Sequence, residues 1–159
     1  MSQLTATSRT PRMANPAALV PGAVETIQAL AKSIRGLGAP PALLELVHLR
    51  ASQINGCSLC VNLTWQSAEK AGGVDERLFM VPAWREAPNF TDGERAALAL
   101  AEAMTRLADQ ADPVPDEIWE DVERHFDEKT RAALVLWIAM TNLFNRVNVT
   151  TRQPPQRWG

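Results

Sequence analysis

The sequence predicts an all-α protein with a single domain of about six helices. Apolar residues recur at spacings of three and four in the segments that lack proline and glycine, and no convincing alternation typical of strands is found. Proline and glycine pairs separate these segments from one another. A length of 159 residues is enough for one domain with its own hydrophobic core.

Proline and glycine mark the ends of the helices in the first half of the chain. Proline is tolerated in the first turn of a helix, whereas glycine favours its end. The predicted segments run from Pro21-Gly22 to Gly36, from Pro40-Pro41 to Ile54, from Cys57 to Ala71, and from Asp75 to Met80, followed by a loop from Val81 to Phe90.

The second half of the chain contains a capped helix, a short helix and a strongly apolar one. Thr91-Asp-Gly-Glu94 is a capping box, in which hydroxyl and carboxylate each satisfy a free backbone donor. A short helix is expected from Asp116 to Phe126, and the last from about Glu128 to Arg146. A helix that is apolar over most of its circumference is central to its domain or lies in a subunit interface. We therefore expect a helical domain over residues 16–150, between a flexible arm at 1–15 and a tail at 151–159.

Composition and charge limit the classes of function. The formal net charge is −2 and charged residues make up 21% of the chain, which gives no electrostatic reason to expect nucleic acid or an anionic membrane as partner. No apolar run approaches the roughly 18 residues that a membrane span needs. Residues 1–15 lack the apolar stretch of an export signal, so we expect a cytoplasmic protein.

Two cysteines, Cys57 and Cys60, follow an Asn55-Gly56 turn at the start of the third long segment. A thiol in the first turn of a helix faces free backbone N–H groups and the positive end of the helix dipole, and both favour the reactive thiolate. The spacing also allows the pair to close a disulfide. Redox chemistry is the expected function, against the alternative of two inert buried cysteines. A zinc site is disfavoured, because only His48 and His125 could complete it and their spacing fits no compact motif.

The Asn55-Gly56 turn makes the flanking helices an antiparallel hairpin, in which residues equidistant from the turn lie side by side. A carboxylate then lies within a turn or two of a thiol, as proton transfer during thiol chemistry requires. Counting outward pairs Cys60 with Arg50 or Ala51, Leu63 with His48, and Thr64 or Trp65 with Glu45.

The run from Glu45 to Cys60 resembles the carboxymuconolactone decarboxylase family, in its alkylhydroperoxidase-D-like (AhpD-like) branch. The pattern of that branch is Glu, eleven residues, Cys-x-x-Cys, three residues and His, and Glu45, Cys57 and Cys60 match it. Residues 83–96 and 142–148 also resemble the family. The resemblance implies a helical homotrimer or homohexamer that reduces hydroperoxides, with Cys60 attacking the peroxide, Cys57 resolving it as a disulfide, and an external dithiol as reductant. It implies no bound metal, flavin or nucleotide.

The chain departs from the family pattern at Thr64, which stands where the family has its histidine. Threonine cannot take up a proton near neutral pH, so half of the expected proton relay is missing. Two mechanisms stay open: Glu45 acts through water, or His48 supplies an imidazole from the opposite helix. Two other functions also stay open, namely a carboxymuconolactone-decarboxylase-type enzyme and a non-catalytic, redox-sensing helical oligomer.

Overall fold

A computed structural model of the protein describes residues 10–70, 72, 75–108 and 110–155. All regular secondary structure in these ranges is helical. The elements are α1 (Pro16–Leu19), α2 (Ala23–Arg35), α3 (Pro41–Ile54), α4 (Ser58–Lys70), α5 (Arg77–Met80), a 3₁₀ turn (Val81–Ala83), α6 (Asp92–Thr105), α7 (Asp116–His125) and α8 (Glu128–Thr151).

The helical fold class is confirmed. The six helices of ten or more residues, α2, α3, α4, α6, α7 and α8, are those that the sequence predicts. The short piece expected at Asp75 to Met80 is the single turn α5, and α1 is a further turn that we did not expect. The expected end of the third segment, Ala71, lies outside the described residues.

The last helix, α8, is longer than predicted. The expected end at Arg146 was wrong, because the helix continues to Thr151 and ends at Arg152, which adopts the left-handed conformation with φ of 55°. The β-branched residues of this last stretch have low helix propensity, which concealed it in the sequence. Burial outweighs propensity here, since Asn148 and Thr151 lie inside the domain.

The core is built where α3, α6 and α8 meet. Small side chains on α6 allow this close approach, as its alanines predicted. By length and composition α8 could cross a membrane, but half of that stretch is buried inside the domain, which identifies it as the central helix. The most deeply buried apolar residues of these three helices are Leu44, Val47, Ala97, Leu100, Ala101, Leu134 and Ile138.

Arg95 on α6 holds the loop that precedes the helix. Its guanidinium donates to the backbone carbonyls of Trp84 at 2.8 Å and Phe90 at 3.2 Å, and also to those of Arg85 and Ala87. The planar fork of an arginine suits this arrangement, because its donors point to several carbonyls at once. One side chain thus organises the entry to α6.

Glu102, buried on α6, joins this loop to α3. Its carboxylate accepts from the Trp84 indole at 2.9 Å and pairs with Arg50 at 2.6 Å and with Arg85 at 2.8 Å. Burial alone would raise the pKa of Glu102, but the hydrogen bonds from Trp84, Arg85 and Arg50 outweigh it and the pKa is lowered. Glu102 is therefore an ionised structural link.

The chain that precedes α1 is hydrogen-bonded to the end of α8. The Arg12 backbone N–H donates to the Thr151 carbonyl at 2.9 Å, and the Gln153 amide donates to the Met13 carbonyl at 3.0 Å. Residues 10–15 of the expected arm are thus placed on the domain. The rest of that arm, residues 1–9, and residues 156–159 of the expected tail lie outside the described residues.

Candidate redox site

The cysteine pair lies at the turn between α3 and α4. Gly56 takes the left-handed conformation with φ of 67°, whereas Asn55 keeps a right-handed one. Cys57 directly precedes α4, and its sulfur accepts a hydrogen bond from the Cys60 backbone N–H at 3.3 Å. A free donor at the helix start therefore contacts sulfur, as the position of the pair predicts.

Cys57 and Cys60 form a disulfide, with Cα atoms 5.3 Å apart. Both residues are buried, with 2% and 1% of their surface exposed. The short Cys-x-x-Cys spacing brings the two sulfurs together at the first turn of α4. Any reagent must therefore reach the sulfurs through an opening in the domain.

Such an opening is a cavity of about 320 Å³ between α2, α3, α4 and α8. Four of the five predicted site residues line it, namely Glu45, His48, Cys60 and Thr64. Cys57 is not among the lining residues in the described part of the chain. The wall is otherwise mainly apolar, formed by Ile27, Ala31, Leu63, Trp137, Met140 and Phe144.

Glu45 on α3 presents a partly buried carboxylate to this cavity. Burial raises the pKa of Glu45, and the positive charge of Arg35 partly opposes that rise. Arg35, which the sequence did not single out, also lines the cavity, and its guanidinium lies 4.7 Å from the ring centre of Trp137. A carboxyl group with a raised pKa is suited to gain and release a proton near neutral pH.

His48 connects three helices at the same cavity. Its Nδ1 lies 3.2 Å from the Thr141 hydroxyl, which itself donates to the Trp137 carbonyl at 2.8 Å. Burial lowers the pKa of His48, and a hydrogen bond with the Cys60 backbone partly opposes this. The imidazole is therefore neutral at neutral pH.

The hairpin brings the predicted site residues to one cavity. His48 and Leu63, which the count pairs, both line it, and His48 also contacts the Cys60 backbone. The side chain of Arg50, one expected neighbour of Cys60, reaches Glu102. Residues 55–57 form the connection between the two helices.

Thr64 lies one turn after Cys60 and is only 3% exposed. Its hydroxyl has no hydrogen-bond partner among the residues that the structure describes. Buried hydroxyls normally have a partner, so an unsatisfied one in a cavity wall is a place where an oxygen-bearing ligand can bind.

Asn148 on α8 is a site residue to which sequence reasoning gave no role. Its amide nitrogen lies 3.5 Å from the Cys60 sulfur, within hydrogen-bond distance for sulfur. The available pattern was the spacing of Asn142, Asn145 and Asn148 at every third residue of an apolar helix, which places three amides on nearly the same side. Asn142 and Asn145 instead bond to Thr105 and Ser52.

The described ranges contain no group of three or more His, Cys, Asp or Glu side chains that could hold a metal ion. The reactive groups around the cavity are the Cys60 sulfur, a carboxyl group, a neutral imidazole, a hydroxyl and an amide.

The chain is similar in sequence to two bacterial proteins. It is 36% identical over 105 residues to the uncharacterized protein YdfG of Bacillus subtilis (strain 168), and the aligned region spans 66% of this chain and 70% of YdfG. It is 32% identical over 116 residues to the uncharacterized protein YnjA of Escherichia coli (strain K12), which spans 73% of this chain and 62% of YnjA.

Solved structures support the fold. A protein of unknown function from Agrobacterium tumefaciens, proposed to be the antioxidant defence protein AhpD, superposes with a TM-score of 0.84 at 29% identity, covering 94% of this chain and all (100%) of the other. The debrominase Bmp8 superposes with a TM-score of 0.72 at 20% identity, covering 86% and 72%, and shows the fold alone.

The sequence model of the carboxymuconolactone decarboxylase family matches residues 21–103. This range includes the glutamate and both cysteines on which the resemblance was based. With the match over more than half of the chain, and with the two relatives, the family is established. The chain belongs to the carboxymuconolactone decarboxylase family.

Proposed function

We propose that the protein is a thiol-dependent peroxidase, which reduces hydroperoxides through a Cys57/Cys60 thiol–disulfide cycle. The observation that supports this most is the disulfide-forming pair whose one member, Cys60, shares a cavity with a carboxyl group of raised pKa. The similarity to the Agrobacterium tumefaciens protein, proposed to be AhpD, points to the same chemistry.

In the first step the Cys60 thiolate attacks the terminal oxygen of a hydroperoxide. An S–O bond forms and the O–O bond breaks, so that the peroxide is reduced and Cys60 is oxidised to a sulfenic acid. The leaving alkoxide takes up a proton and departs as an alcohol. Cys60 is the better candidate for the attacking sulfur, because it lines the cavity and Cys57 does not.

In the second step the Cys57 thiol attacks the sulfenic sulfur, which forms the disulfide and releases water. An external dithiol then reduces the disulfide by two exchange reactions and becomes oxidised itself. The net reaction converts hydroperoxide and dithiol into alcohol, water and oxidised dithiol. Because both sulfurs are buried, the reductant must be slender enough to reach Cys60 through the cavity.

Glu45 is the proposed proton carrier. Its raised pKa allows it to accept the thiol proton and return a proton to the alkoxide, directly or through a water molecule. His48 is less suited to this role, because burial lowers its pKa and its ring is already bonded to Thr141. We assign His48 a positioning role that holds the Cys60 backbone against α3 and α8.

The cavity wall favours an organic hydroperoxide. Its mainly apolar lining offers contacts to a hydrocarbon part, while Thr64 provides a buried hydroxyl one turn from Cys60. The hydroxyl can bond to the peroxide in place of the missing family histidine, but it cannot carry the proton. We therefore propose modest activity that depends strongly on Glu45.

We further propose that the chain acts in the cytoplasm as a homotrimer or homohexamer, without nucleic acid or a membrane as partner. Exposed apolar side chains on the outer side of α8, Leu136 at 44% and Leu143 at 48%, support an association between copies. A face of this kind is unusual on the central helix of a monomer.

Hydroperoxide consumption in the presence of a dithiol tests the proposed function. Purified wild-type protein should consume cumene hydroperoxide with dithiothreitol or dihydrolipoamide, and Cys60→Ser should abolish this turnover. Cys57→Ser should also stop turnover, after a single oxidation of Cys60. A wild-type protein that forms the disulfide reversibly but never turns over would support the redox-sensing alternative instead. Activity that survives both substitutions would contradict the proposal.

A further inference from the structure

A series of three hydrogen bonds links the start of α1 to the Cys60 sulfur. The Ala17 backbone N–H donates to the Asn15 side-chain oxygen at 3.0 Å. The Asn15 amide nitrogen donates to the Asn148 side-chain oxygen at 3.3 Å. The Asn148 amide nitrogen then donates to the Cys60 sulfur at 3.5 Å. We refer to these bonds as the amide relay.

The direction of every bond in the amide relay follows from its first member. A backbone N–H can only donate, so Asn15 must turn its oxygen to Ala17 and its nitrogen to Asn148. Asn148 must then present its oxygen to Asn15, which leaves its nitrogen facing the sulfur of Cys60. The two possible orientations of the Asn148 amide are thereby reduced to one.

The surroundings strengthen the last bond of the relay. Asn148 is 6% exposed and Cys60 is 1% exposed, so water competes little for either partner. The backbone carbonyl of Asn148 accepts from Gln153 at 2.9 Å, which fixes the residue at the end of α8. A hydrogen bond to an ionised group in such surroundings is stronger than one to a neutral group. The amide therefore favours the thiolate over the thiol.

We propose that Asn148 is a catalytic residue that stabilises the Cys60 thiolate by hydrogen bonding, and that Asn15 is a positioning residue that fixes its amide. This inference rests on the proposed function for the identity of the attacking sulfur. The amide exchanges no proton in the reaction. It stays hydrogen-bonded to the sulfur while the S–O bond forms and the O–O bond breaks. The proton for the alkoxide comes from Glu45, the proposed proton carrier.

Other charged and titratable groups also face Cys60. Arg35 on α2 and Glu45 and His48 on α3 line the same cavity, and Cys57 is the bonded neighbour at the start of α4. Among the described residues, the cavity side of α8 adds no titratable side chain. A substitution at Asn148 changes none of these four groups relative to its parent protein, so a change in the titration of Cys60 reports on the amide.

The pH dependence of Cys60 alkylation tests the inference. Reduced Cys57→Ser protein serves as the parent, because Cys60 is then its only thiol, and the midpoint of the iodoacetamide rate against pH gives the pKa. In the parent, Asn148→Leu should raise the pKa of Cys60 by about one unit, the size expected for loss of a charge-assisted hydrogen bond. The control Asn62→Leu also removes a buried amide, one that bonds to Gln66, and should leave the midpoint unchanged.

Asn15→Ser tests the positioning role of Asn15 separately from the hydrogen bond between Asn148 and the Cys60 sulfur. Serine can still accept from the Ala17 backbone N–H as an N-cap, but it has no amide to orient Asn148. We expect a smaller rise in the pKa of Cys60 than for Asn148→Leu. Asn148→Ala provides the same test as Asn148→Leu if the larger side chain prevents folding, which circular dichroism would show.

An unchanged midpoint in the folded Asn148 variant would overturn the inference, whether or not the wild type reduces hydroperoxides. An unchanged midpoint in Asn15→Ser would overturn the role of Asn15. Conversely, a raised midpoint together with no turnover by the wild type would leave the hydrogen bond established and contradict the proposed function. The two failures are thus distinguishable.

Discussion

At the scale of single residues, one cavity shifts two acid–base groups toward their neutral forms. Burial raises the pKa of Glu45 and lowers that of His48, because in both cases it disfavours the charged state. The sequence allowed either residue to carry the proton. The shifts favour Glu45, because a raised pKa makes its carboxylate a better proton acceptor, whereas His48 is held neutral by its surroundings. Each shift also links stability to pH.

Replacing Glu45 by glutamine should reduce activity without weakening the fold. We expect Glu45→Gln to lower hydroperoxide turnover about a hundredfold or more, the usual loss for a general acid–base group. At neutral pH its free energy of unfolding should not fall below that of the wild type, because a buried charge has been removed. The exposed Glu25→Gln on α2 is the matched control and should keep full activity.

The same variant tests the direction of the Glu45 shift. A raised native pKa contributes stability that is fully present below the unfolded value and lost as pH rises through the native one. As pH rises from about 4.5 through the native pKa, the free energy of unfolding of Glu45→Gln, measured with urea, should therefore fall less than that of the wild type. A larger loss in the variant would contradict the raised pKa.

Replacing His48 should change how the free energy of unfolding falls as the pH is lowered. Its lowered pKa contributes stability that is present above the ordinary histidine pKa of 6.5 and lost as pH falls through the native pKa. His48→Gln can still bond to Thr141, and its free energy of unfolding should fall less steeply below that pH. His125→Gln, on the exposed side of α7, separates this effect from the loss of any histidine. Equal slopes for His48→Gln and the wild type would contradict the assignment.

At the scale of secondary structure elements, local patterns were predictable and long-range contacts were not. The Asn-Gly turn, the capping box of α6 and the proline-bounded helix starts depend on neighbours in sequence, and each is found as expected. Asn148 reaches Cys60 from 88 residues away in the chain, and no local pattern specifies such a contact. Arg35 lies on the preceding helix, α2, and no pattern in that helix showed that it faces the cavity. The hairpin count predicted that Glu45, His48, Cys60 and Thr64 lie near one another, and all four line the cavity.

The loop before α6 offers a test of such a long-range contact. Arg95→Lys retains the charge but loses the fork that reaches several carbonyls, so some of them become unsatisfied. We expect the free energy of unfolding to fall by about 1–3 kcal/mol. Hydrogen exchange of residues 84–90 should become faster. Arg131→Lys is the control, because Arg131 pairs with the exposed carboxylate of Glu123. It should change the free energy of unfolding by less than about 0.5 kcal/mol. An equal effect of both variants would contradict the account.

At the scale of the whole molecule, the fold class and the family followed from the sequence. Helical periodicity and the spacing of Glu45, Cys57 and Cys60 were sufficient, because both are encoded within short stretches. The last turns of α8 were not predictable, because β-branched residues obscure a helix that is stabilised by burial. The number of subunits stays a prediction from the resemblance and from the exposed side of α8.

Light scattering after size exclusion tests the assembly. We expect three or six times the chain mass of 17.5 kDa, independent of whether the disulfide is reduced. Leu143→Glu should lower the mass, because it places a charge on the exposed apolar side of α8. Leu107→Glu, at an exposed leucine beyond the end of α6, is the control and should assemble normally. A monomeric wild type would contradict the prediction.

The central claim is that Cys60 attacks the peroxide and that Cys57 resolves the oxidised sulfur. Trapping of the sulfenic acid with dimedone tests this claim most directly, with intact mass measured after addition of a stoichiometric amount of cumene hydroperoxide. Reduced Cys57→Ser should acquire one dimedone adduct at Cys60, and reduced Cys60→Ser should acquire none. An adduct only in Cys60→Ser, or in neither variant, would contradict the central claim.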